Sequence, residues 1–193
     1  VMTTGEGGML TTDSEEIYKF SKALRERGRS LTNPLEIYDY GWRSGRVPEI
    51  SALLGLSQLS HLDEWLLHRN KIAEIYDNIL FDSDDLRTII TPSNVFNAYW
   101  KHITIISNQN IDRINLSKIL KDDFGVNINW AYMPPLHLQP VYRKMYDMKE
   151  GDFPISEELM SKHFHLPMQV TISLDDAKYI ANSVLKAVDK IKT

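Results

Sequence analysis

Residues 3–13 read Thr3-Thr4-Gly5-Glu6-Gly7-Gly8-Met9-Leu10-Thr11-Thr12-Asp13, and this stretch decides the fold that we expect. Its glycines predict a tight turn, because glycine alone adopts positive φ angles without strain. Residues 9–12 follow as a short candidate strand, and Asp13 with Glu16 forms the capping-box pattern that begins a helix. The turn lacks the Gly-Lys-Ser/Thr ending of a P-loop, and no strand precedes it, as a dinucleotide-binding fingerprint requires. By itself it is better explained as a structural turn than as a ligand-binding loop.

The spacing of apolar residues farther along the chain predicts alternating helices and strands. Helical spacing continues over residues 48–81 and predicts one long connecting helix, with two helices broken near residues 68–70 as the alternative. Beyond it we expect strands at residues 100–106 and 126–128, and helices at residues 111–124, at 156–162 and from Ser173 onward. The sequence therefore predicts an α/β protein.

This pattern divides the chain into three parts. Residues 1–47 contain one candidate strand, one helix and a loop over 29–47, which cannot bury a core alone, so we expect them to belong to a larger domain. Residues 48–81 form the connecting helix, and residues 82–193 form a small α+β domain. Val1 is not a methionine, and the first residues show no signal-peptide pattern. We therefore expect the chain to be a segment of a longer protein.

Composition restricts the class of protein. The 193 residues are 42% hydrophobic and 25% charged, which is typical of a soluble globular protein. The net charge is −4, and the 22 Lys and Arg are interleaved with 26 Asp and Glu, which argues against a nucleic-acid partner. No apolar run reaches the ~20 residues that span a bilayer, so we expect no membrane partner. The absence of cysteine excludes disulfides, thiolate metal ligands and cysteine nucleophiles in this sequence.

The loop before the long helix has arginines on both sides of a serine and a glycine, and reads Trp42-Arg43-Ser44-Gly45-Arg46. Arginines and a hydroxyl beside a helix N-terminus can hold a phosphate. A solvated basic loop explains the same residues equally well, and Arg46 can instead pair with Glu49 on the following turn.

Three histidines are candidates for chemistry. His163 and His165 have the spacing of a metal-binding pair on a strand, but the sequence supplies no third ligand, so we expect no metal site. His137 follows Pro134 and Pro135, whose restricted backbone can aim its side chain into a cleft. A structural histidine is the alternative for His137.

Three stretches, in order, resemble the DegT/DnrJ/StrS group of pyridoxal-phosphate (PLP) sugar aminotransferases. The first is residues 3–13, quoted above. The second reads Arg46-Val47-Pro48-Glu49-Ile50-Ser51-Ala52-Leu53-Leu54-Gly55-Leu56-Ser57-Gln58-Leu59. The third reads Pro134-Pro135-Leu136-His137-Leu138-Gln139-Pro140-Val141-Tyr142, followed later by His165-Leu166-Pro167-Met168. The resemblance covers essentially the whole chain.

The resemblance implies the fold and the cofactor. It implies a fold-type-I aminotransferase, in which residues 1–47 end the large PLP-binding domain and the small C-terminal domain follows. In that family the string at residues 3–13 directly follows the lysine that forms the Schiff base with PLP. We therefore expect that lysine immediately before Val1 and no catalytic residue within this segment.

The resemblance also implies which residues here bind ligands. The family's second motif usually has an asparagine two residues before its arginine, and Ser44 takes that place, where it would bind the phosphate of the neighbouring subunit's cofactor. His137 resembles the family's active-site histidine and would face the substrate. Arg46 would bind the substrate diphosphate because it is a cation near a helix start. Gln139 and Tyr132 flank His137 and would hydrogen-bond to sugar hydroxyls. A homodimer with shared active sites follows from the same motif.

The expected activity is transfer of an amino group from glutamate, or a similar donor, to a keto sugar linked to a nucleotide, in the cytoplasm. One alternative is a PLP- or PMP-dependent sugar dehydratase of the same family, in which histidine replaces the lysine. Another is a non-catalytic α/β binding or regulatory module, because the segment shows no catalytic acid or base of its own.

Overall fold

The structure, a computed structural model, describes residues 1–32 and 38–192. Its elements in chain order are α1 (Glu15–Arg25), α2 (Glu49–Leu59), α3 (Leu62–Leu80), β1 (Leu86–Thr88), β2 (His102–Ile106), α4 (Arg113–Phe124), a 3-10 turn (Leu136–Leu138), α5 (Pro140–Tyr146), α6 (Pro154–Lys162), β3 (His163–Leu166) and α7 (Leu174–Lys192). Part of the predicted loop over 29–47 lies outside the described residues. The chain forms two compact units, one of Met2–Leu62 and one of Val1 with Asp63–Thr193.

In the first unit, α1 begins one residue later than predicted. It ends at Arg25 with Glu26 as its C-cap, so Arg27, which has φ of 70°, and not the predicted Gly28, directly follows the cap. Ser14 rather than Asp13 is the N-cap, because its side chain accepts a hydrogen bond from the Ile17 N–H at 3.4 Å. At the other end the Gly28 N–H donates to the Ala23 carbonyl oxygen at 2.8 Å, with φ of 80°. A Cβ at Gly28 would lie 1.9 Å from the Tyr40 carbonyl oxygen, so only glycine fits there.

The candidate strand at residues 9–12 is wrong. These residues are exposed, Met9 at 90%, and they pair with no strand in the described part of the chain. A strand is stabilised by a hydrogen-bonded neighbour, and such a partner is not visible in a local sequence pattern.

The single long helix predicted over residues 48–81 is also wrong, and so is the alternative break near residues 68–70. The break lies at Ser60 and His61, between α2 and α3, and α3 continues unbroken through residues 68–70. Ser60 donates from its hydroxyl to the Ser57 carbonyl oxygen at 2.8 Å. Serine hydroxyls compete for backbone acceptors in this way, which weakens a helix that apolar spacing alone would continue.

The second unit is built on an antiparallel sheet with strand order β1-β2-β3. Its core is formed by apolar side chains of the sheet and of α3, α4 and α7, including Ile72, Tyr76, Leu80, Leu116, Leu120, Phe164, Ala181, Val184 and Val188. The inner face predicted for the last helix is confirmed, because Ala177, Ile180, Val184 and Val188 are all buried. Burial of this face holds α7 to the unit.

Local signals predicted the helices of the second unit better than its strands. The stop at Gly125 is confirmed, since this residue has the left-handed conformation with φ of 66°. The strand predicted at 100–106 is present as β2, whereas residues 126–128 form no strand and only Asn129 bridges to His165. In the described part of the chain, no helix has both the length and the apolar character needed to cross a membrane.

Candidate functional site

The glycine turn lies against α2 within the first unit. The Thr3 N–H donates to Gln58 Oε1 at 3.3 Å, and a Cβ at Gly55 would lie 3.0 Å from Thr4 Cγ2. Gly7 has φ of 152°, and a Cβ there would lie 2.8 Å from Thr4 Oγ1. Small residues therefore bring the first family-like motif into contact with the second.

Ser44 lies in an exposed loop that is held against the end of α1. The backbone of Ser44 bridges that of Glu26, and the Gly45 N–H donates to the Arg25 carbonyl oxygen at 3.0 Å. Ser44 itself is exposed. Its hydroxyl, which can both donate and accept a hydrogen bond, is therefore accessible to a ligand such as a phosphate.

Arg46, two residues later, pairs with Glu26 rather than with Glu49. Its Nε donates to Glu26 Oε2 at 2.7 Å. This hydrogen bond is the largest cause that holds the pKa of Glu26 below its usual value. The Arg46 side chain is 59% exposed, so water or an anionic ligand can compete with Glu26 for the guanidinium.

His137 lies in the 3-10 turn of the second unit and is held by a carboxylate. Its side chain is 10% exposed, and its Nε2 lies 2.9 Å from Glu157 Oε1. Its ring is tilted onto that of Phe153, with the centroids 4.9 Å apart. Glu157 also accepts hydrogen bonds from the N–H groups of Gly151 and Phe153. These contacts fix the orientation of the imidazole.

Glu157 is charged at neutral pH because its neighbours favour the carboxylate. The Gly151 N–H, more than His137, holds the pKa of Glu157 below its usual value. A carboxylate that faces Nε2 favours an imidazole with a proton on that nitrogen.

Gln139 and Tyr132 flank His137 and occupy different environments. Gln139 donates from Nε2 to the Pro134 carbonyl oxygen at 2.7 Å and helps to hold the proline-rich loop. Tyr132 is 58% exposed and accessible to a ligand. The structure thus places these two residues and His137 in one segment of the second unit, while Ser44 and Arg46 belong to the first.

A cavity of about 310 Å³ in the second unit is lined by polar and apolar side chains. Of its polar residues, only His165 was a candidate from the sequence. Its walls include Arg69 from α3, Lys101 beside β2, and Asn129, as well as Val1. Lys101 Nζ lies 3.1 Å from His165 Nδ1, which also lies 2.9 Å from Asn129 Oδ1. Among the described residues that line this cavity, none carries a carboxylate.

The two strand histidines are held by protein groups. His163 Nδ1 lies 3.1 Å from the Leu159 carbonyl oxygen. Burial, and to a smaller extent Lys101, lowers the pKa of His165 to about 4, so this imidazole is neutral at pH 7. Across residues 1–32 and 38–192, no three His, Cys, Asp or Glu side chains are grouped so as to hold a metal ion.

Sequence reasoning missed Glu157, Arg69 and Lys101. Arg69 carries a usable signal, because it lies on the buried side of α3 at helical spacing from Ile72 and Tyr76, where a charged residue is rare. Glu157 and Lys101 carry none, since the histidines that they contact are 20 and 64 residues away along the chain.

Comparison with known proteins finds relatives that are similar to this chain over nearly its whole length. An uncharacterized protein of Methanocaldococcus jannaschii is 32% identical over 98% of this chain and 51% of that protein. The GDP-perosamine synthase of Escherichia coli O157:H7 is 27% identical over 95% of this chain and 48% of that enzyme. The crystal structure of the aminotransferase TlmJ from Streptoalloteichus hindustanus matches with a TM-score of 0.83 and 26% identity, over 97% of this chain and 49% of that one.

The chain thus spans about half the length of the relatives that it matches. The similarity in structure confirms the predicted fold class, an α/β segment of a fold-type-I aminotransferase. Residues 1–185 match the sequence model of the DegT/DnrJ/EryC1/StrS aminotransferase family. Because this match extends over nearly the whole sequence, the chain belongs to the DegT/DnrJ/EryC1/StrS aminotransferase family.

Proposed function

We propose that the complete protein is a PLP-dependent aminotransferase that moves an amino group from glutamate, or a similar donor, to a keto sugar linked to a nucleotide. The observation that carries this proposal is the family match over residues 1–185, which includes all three motifs in order. The GDP-perosamine synthase among the relatives is named for a sugar linked to a nucleotide, which supports the same class of substrate.

Residues of this chain would form part of the PLP site. When bound, PLP supplies an electron sink and carries the amino group from one carbon skeleton to the other. Ser44 would donate a hydrogen bond to its phosphate from the exposed loop. The glycine turn would hold the backbone that follows the lysine, since the contacts of Thr4 with Gly7 and Gly55 leave space only for small residues.

Arg46 and His137 would act on the sugar nucleotide. A guanidinium is a suitable partner for a diphosphate, and the exposed Arg46 can leave Glu26 to bind one. His137 would present a fixed imidazole, because Glu157 and Phe153 hold it. Gln139 and Tyr132 would contact the hydroxyls of the sugar from the same segment.

A homodimer is supported by the apolar surface of α2. Ile50, Leu53 and Leu56 of this helix are 75%, 64% and 66% exposed. An apolar surface of this kind is usually covered by a partner or by another part of the same protein. We propose that residues 43–46, just before this helix, enter the active site of a second copy. A cytoplasmic location, without nucleic-acid or membrane partners, stays a prediction.

The test uses the complete protein with PLP, a set of keto sugars linked to nucleotides, and glutamate labelled with the heavy isotope of nitrogen. We expect the label to appear in the sugar product, as measured by mass spectrometry. A product that has lost water and carries no label would support the dehydratase alternative. A complete protein that binds no PLP and changes none of the sugars would support the non-catalytic module.

A further inference from the structure

The cavity around Arg69 and Lys101 carries positive charge that no described residue of its lining compensates. The two cationic side chains lie on its wall, and the described residues that line it include no acidic group. The other polar side chains there, such as Asn127 and Gln169, are neutral, and His165 is uncharged at pH 7. Charge of one sign on the wall of a cavity attracts a ligand of the opposite sign.

Arg69 is a buried cation whose hydrogen bonds are incomplete. The residue is 8% exposed, and its Nε has no hydrogen-bond partner among the described residues. Its Nη1 donates to the Tyr99 carbonyl oxygen at 2.9 Å, which fixes the guanidinium at the cavity wall. Burial lowers its pKa. A buried guanidinium is favourable only when a charged or polar partner replaces the water that it has lost.

Lys101 is oriented by neutral groups. Its Nζ lies 3.1 Å from His165 Nδ1 and 4.7 Å from the centre of the Trp100 ring. Neither contact neutralises the ammonium charge. Two cations that are held by protein contacts and line the same cavity favour an oxyanion there, because carboxylates and phosphates take charge-assisted hydrogen bonds from both groups.

We propose that this cavity binds the carboxylate of the amino donor, a 2-amino acid such as glutamate, between Arg69 and Lys101. This inference rests on the proposed function. Val1 lines the cavity, and the family resemblance puts the cofactor lysine directly before Val1. The donor carboxylate is bonded to the carbon whose amino group reacts, so it must bind near that lysine. The diphosphate of a nucleotide sugar is separated from its reacting carbon by the sugar ring.

The test compares Lys101→Met with Lys118→Met in the complete protein. Lys118 lies exposed on α4, outside the residues that line the cavity, and serves as the matched control. Isothermal titration measures the Kd of glutarate, which has the donor's carboxylates but no amino group, and the Kd of UDP as the phosphate probe. Steady-state kinetics measure KM for glutamate and for the keto sugar. Melting temperatures show that both variants fold.

We expect Lys101→Met to weaken glutarate binding and to raise KM for glutamate by roughly tenfold or more, because a charged contact is lost. UDP binding, KM for the sugar and all values for Lys118→Met should stay within about twofold of wild type. Unchanged glutarate binding in Lys101→Met, or a loss of UDP binding instead, would overturn the inference. Arg69→Lys, which keeps the charge but not the fork of donors, should weaken glutarate binding as well.

Failure of the inference and failure of the proposed function give different results. If the wild type transfers no nitrogen to any sugar, the function fails, while glutarate binding that depends on Lys101 still supports the anion site. If the wild type transfers nitrogen and binds glutarate equally well with or without Lys101, the inference alone fails.

Discussion

Arg46 and His137 each face a carboxylate, and the two pairs differ in how far solvent reaches them. The Arg46 side chain is 59% exposed, whereas that of His137 is 10% exposed. Water screens the first pair, which therefore adds little to stability and can exchange for a ligand. The second pair is shielded and holds its imidazole in one orientation. In the proposed function, Arg46 would capture an anion, and His137 would present a fixed group to a bound sugar.

Arg46→Ala is expected to weaken substrate binding without unfolding the protein. The variant loses an exposed pair with Glu26, so its melting temperature should stay close to that of wild type. Its KM for the nucleotide sugar should rise by roughly tenfold or more, because a charged contact to the diphosphate is lost. Both quantities are measured on one preparation, with Lys19→Ala on α1 as the control for loss of an exposed cation. A lower melting temperature with unchanged kinetics would make Arg46 a structural residue.

Glu157→Gln is expected to change how stability depends on pH. The pKa of Glu157 in the folded protein lies below its ordinary value of 4.5. The carboxylate therefore stabilises the fold above that pH, and this stabilisation is lost as pH falls through the folded-state pKa. Melting temperatures of the variant and of wild type should differ at pH 7 and converge in acid. A difference that is constant across the pH range, or one as small as that of Glu150→Gln, would contradict the role given to this carboxylate.

The resemblance predicted one member of each side-chain pair, and only the fold could supply the other. Arg46 and His137 stand in recognisable motifs, but Glu26 and Glu157 each lie 20 residues away from their partners. No helical or strand spacing connects residues so far apart. Arg69 could have been predicted from the sequence, because a charged residue on the buried side of α3 interrupts the apolar pattern of that helix.

A glycine with positive φ caps α4 and another lies two residues beyond the cap of α1, but the surroundings of the two glycines differ. Gly28 has φ of 80° and Gly125 has φ of 66°. A Cβ at Gly28 would lie 1.9 Å from the Tyr40 carbonyl oxygen, whereas a Cβ at Gly125 would meet nothing within 4 Å. The first glycine is therefore required by both backbone conformation and space, and the second by conformation alone.

Gly28→Ala and Gly125→Ala form a matched pair of variants. Gly125→Ala should cost about 1 kcal/mol, the strain of an alanine in the left-handed region. Gly28→Ala should cost on the order of 3 kcal/mol or more, because the backbone must also move away from Tyr40. The midpoints of urea or thermal unfolding of the complete protein measure the difference. Equal losses would mean that the close approach at Gly28 does not constrain the loop.

Local caps were predicted for α4 and α7 and misplaced by one residue for α1, and boundaries that depend on distant partners were not predicted. Gly125 and Ser173 gave correct limits because their side chains or φ angles act within a few residues. The strand expected at residues 9–12 needed a partner that no local pattern reveals. The break at Ser60 and His61 was not predicted, because the apolar spacing of the sequence continues across it. The division of the sequence into residues 1–47, 48–81 and 82–193 stays a prediction.

The proposal of shared active sites makes a prediction for mixed dimers of the complete protein. One parent carries Ser44→Ala with Arg46→Ala, and the other lacks the cofactor lysine. If residues 43–46 serve the neighbouring subunit, mixed dimers should recover activity in one of their two sites. Two lysine-deficient parents mixed together give the baseline. An absence of recovery at every mixing ratio, with mixed dimers shown by mass spectrometry, would argue for self-contained sites.

The most direct test of the account is the identity of the residue that binds PLP. The complete protein is incubated with PLP, reduced with borohydride to make the attachment permanent, digested and analysed by peptide mass spectrometry. We predict that the modified residue is a lysine whose next residues are Val1-Met2-Thr3-Thr4-Gly5. A cofactor attached to a lysine elsewhere, or a histidine before Val1 and no attachment, would contradict the account of this chain as part of an aminotransferase.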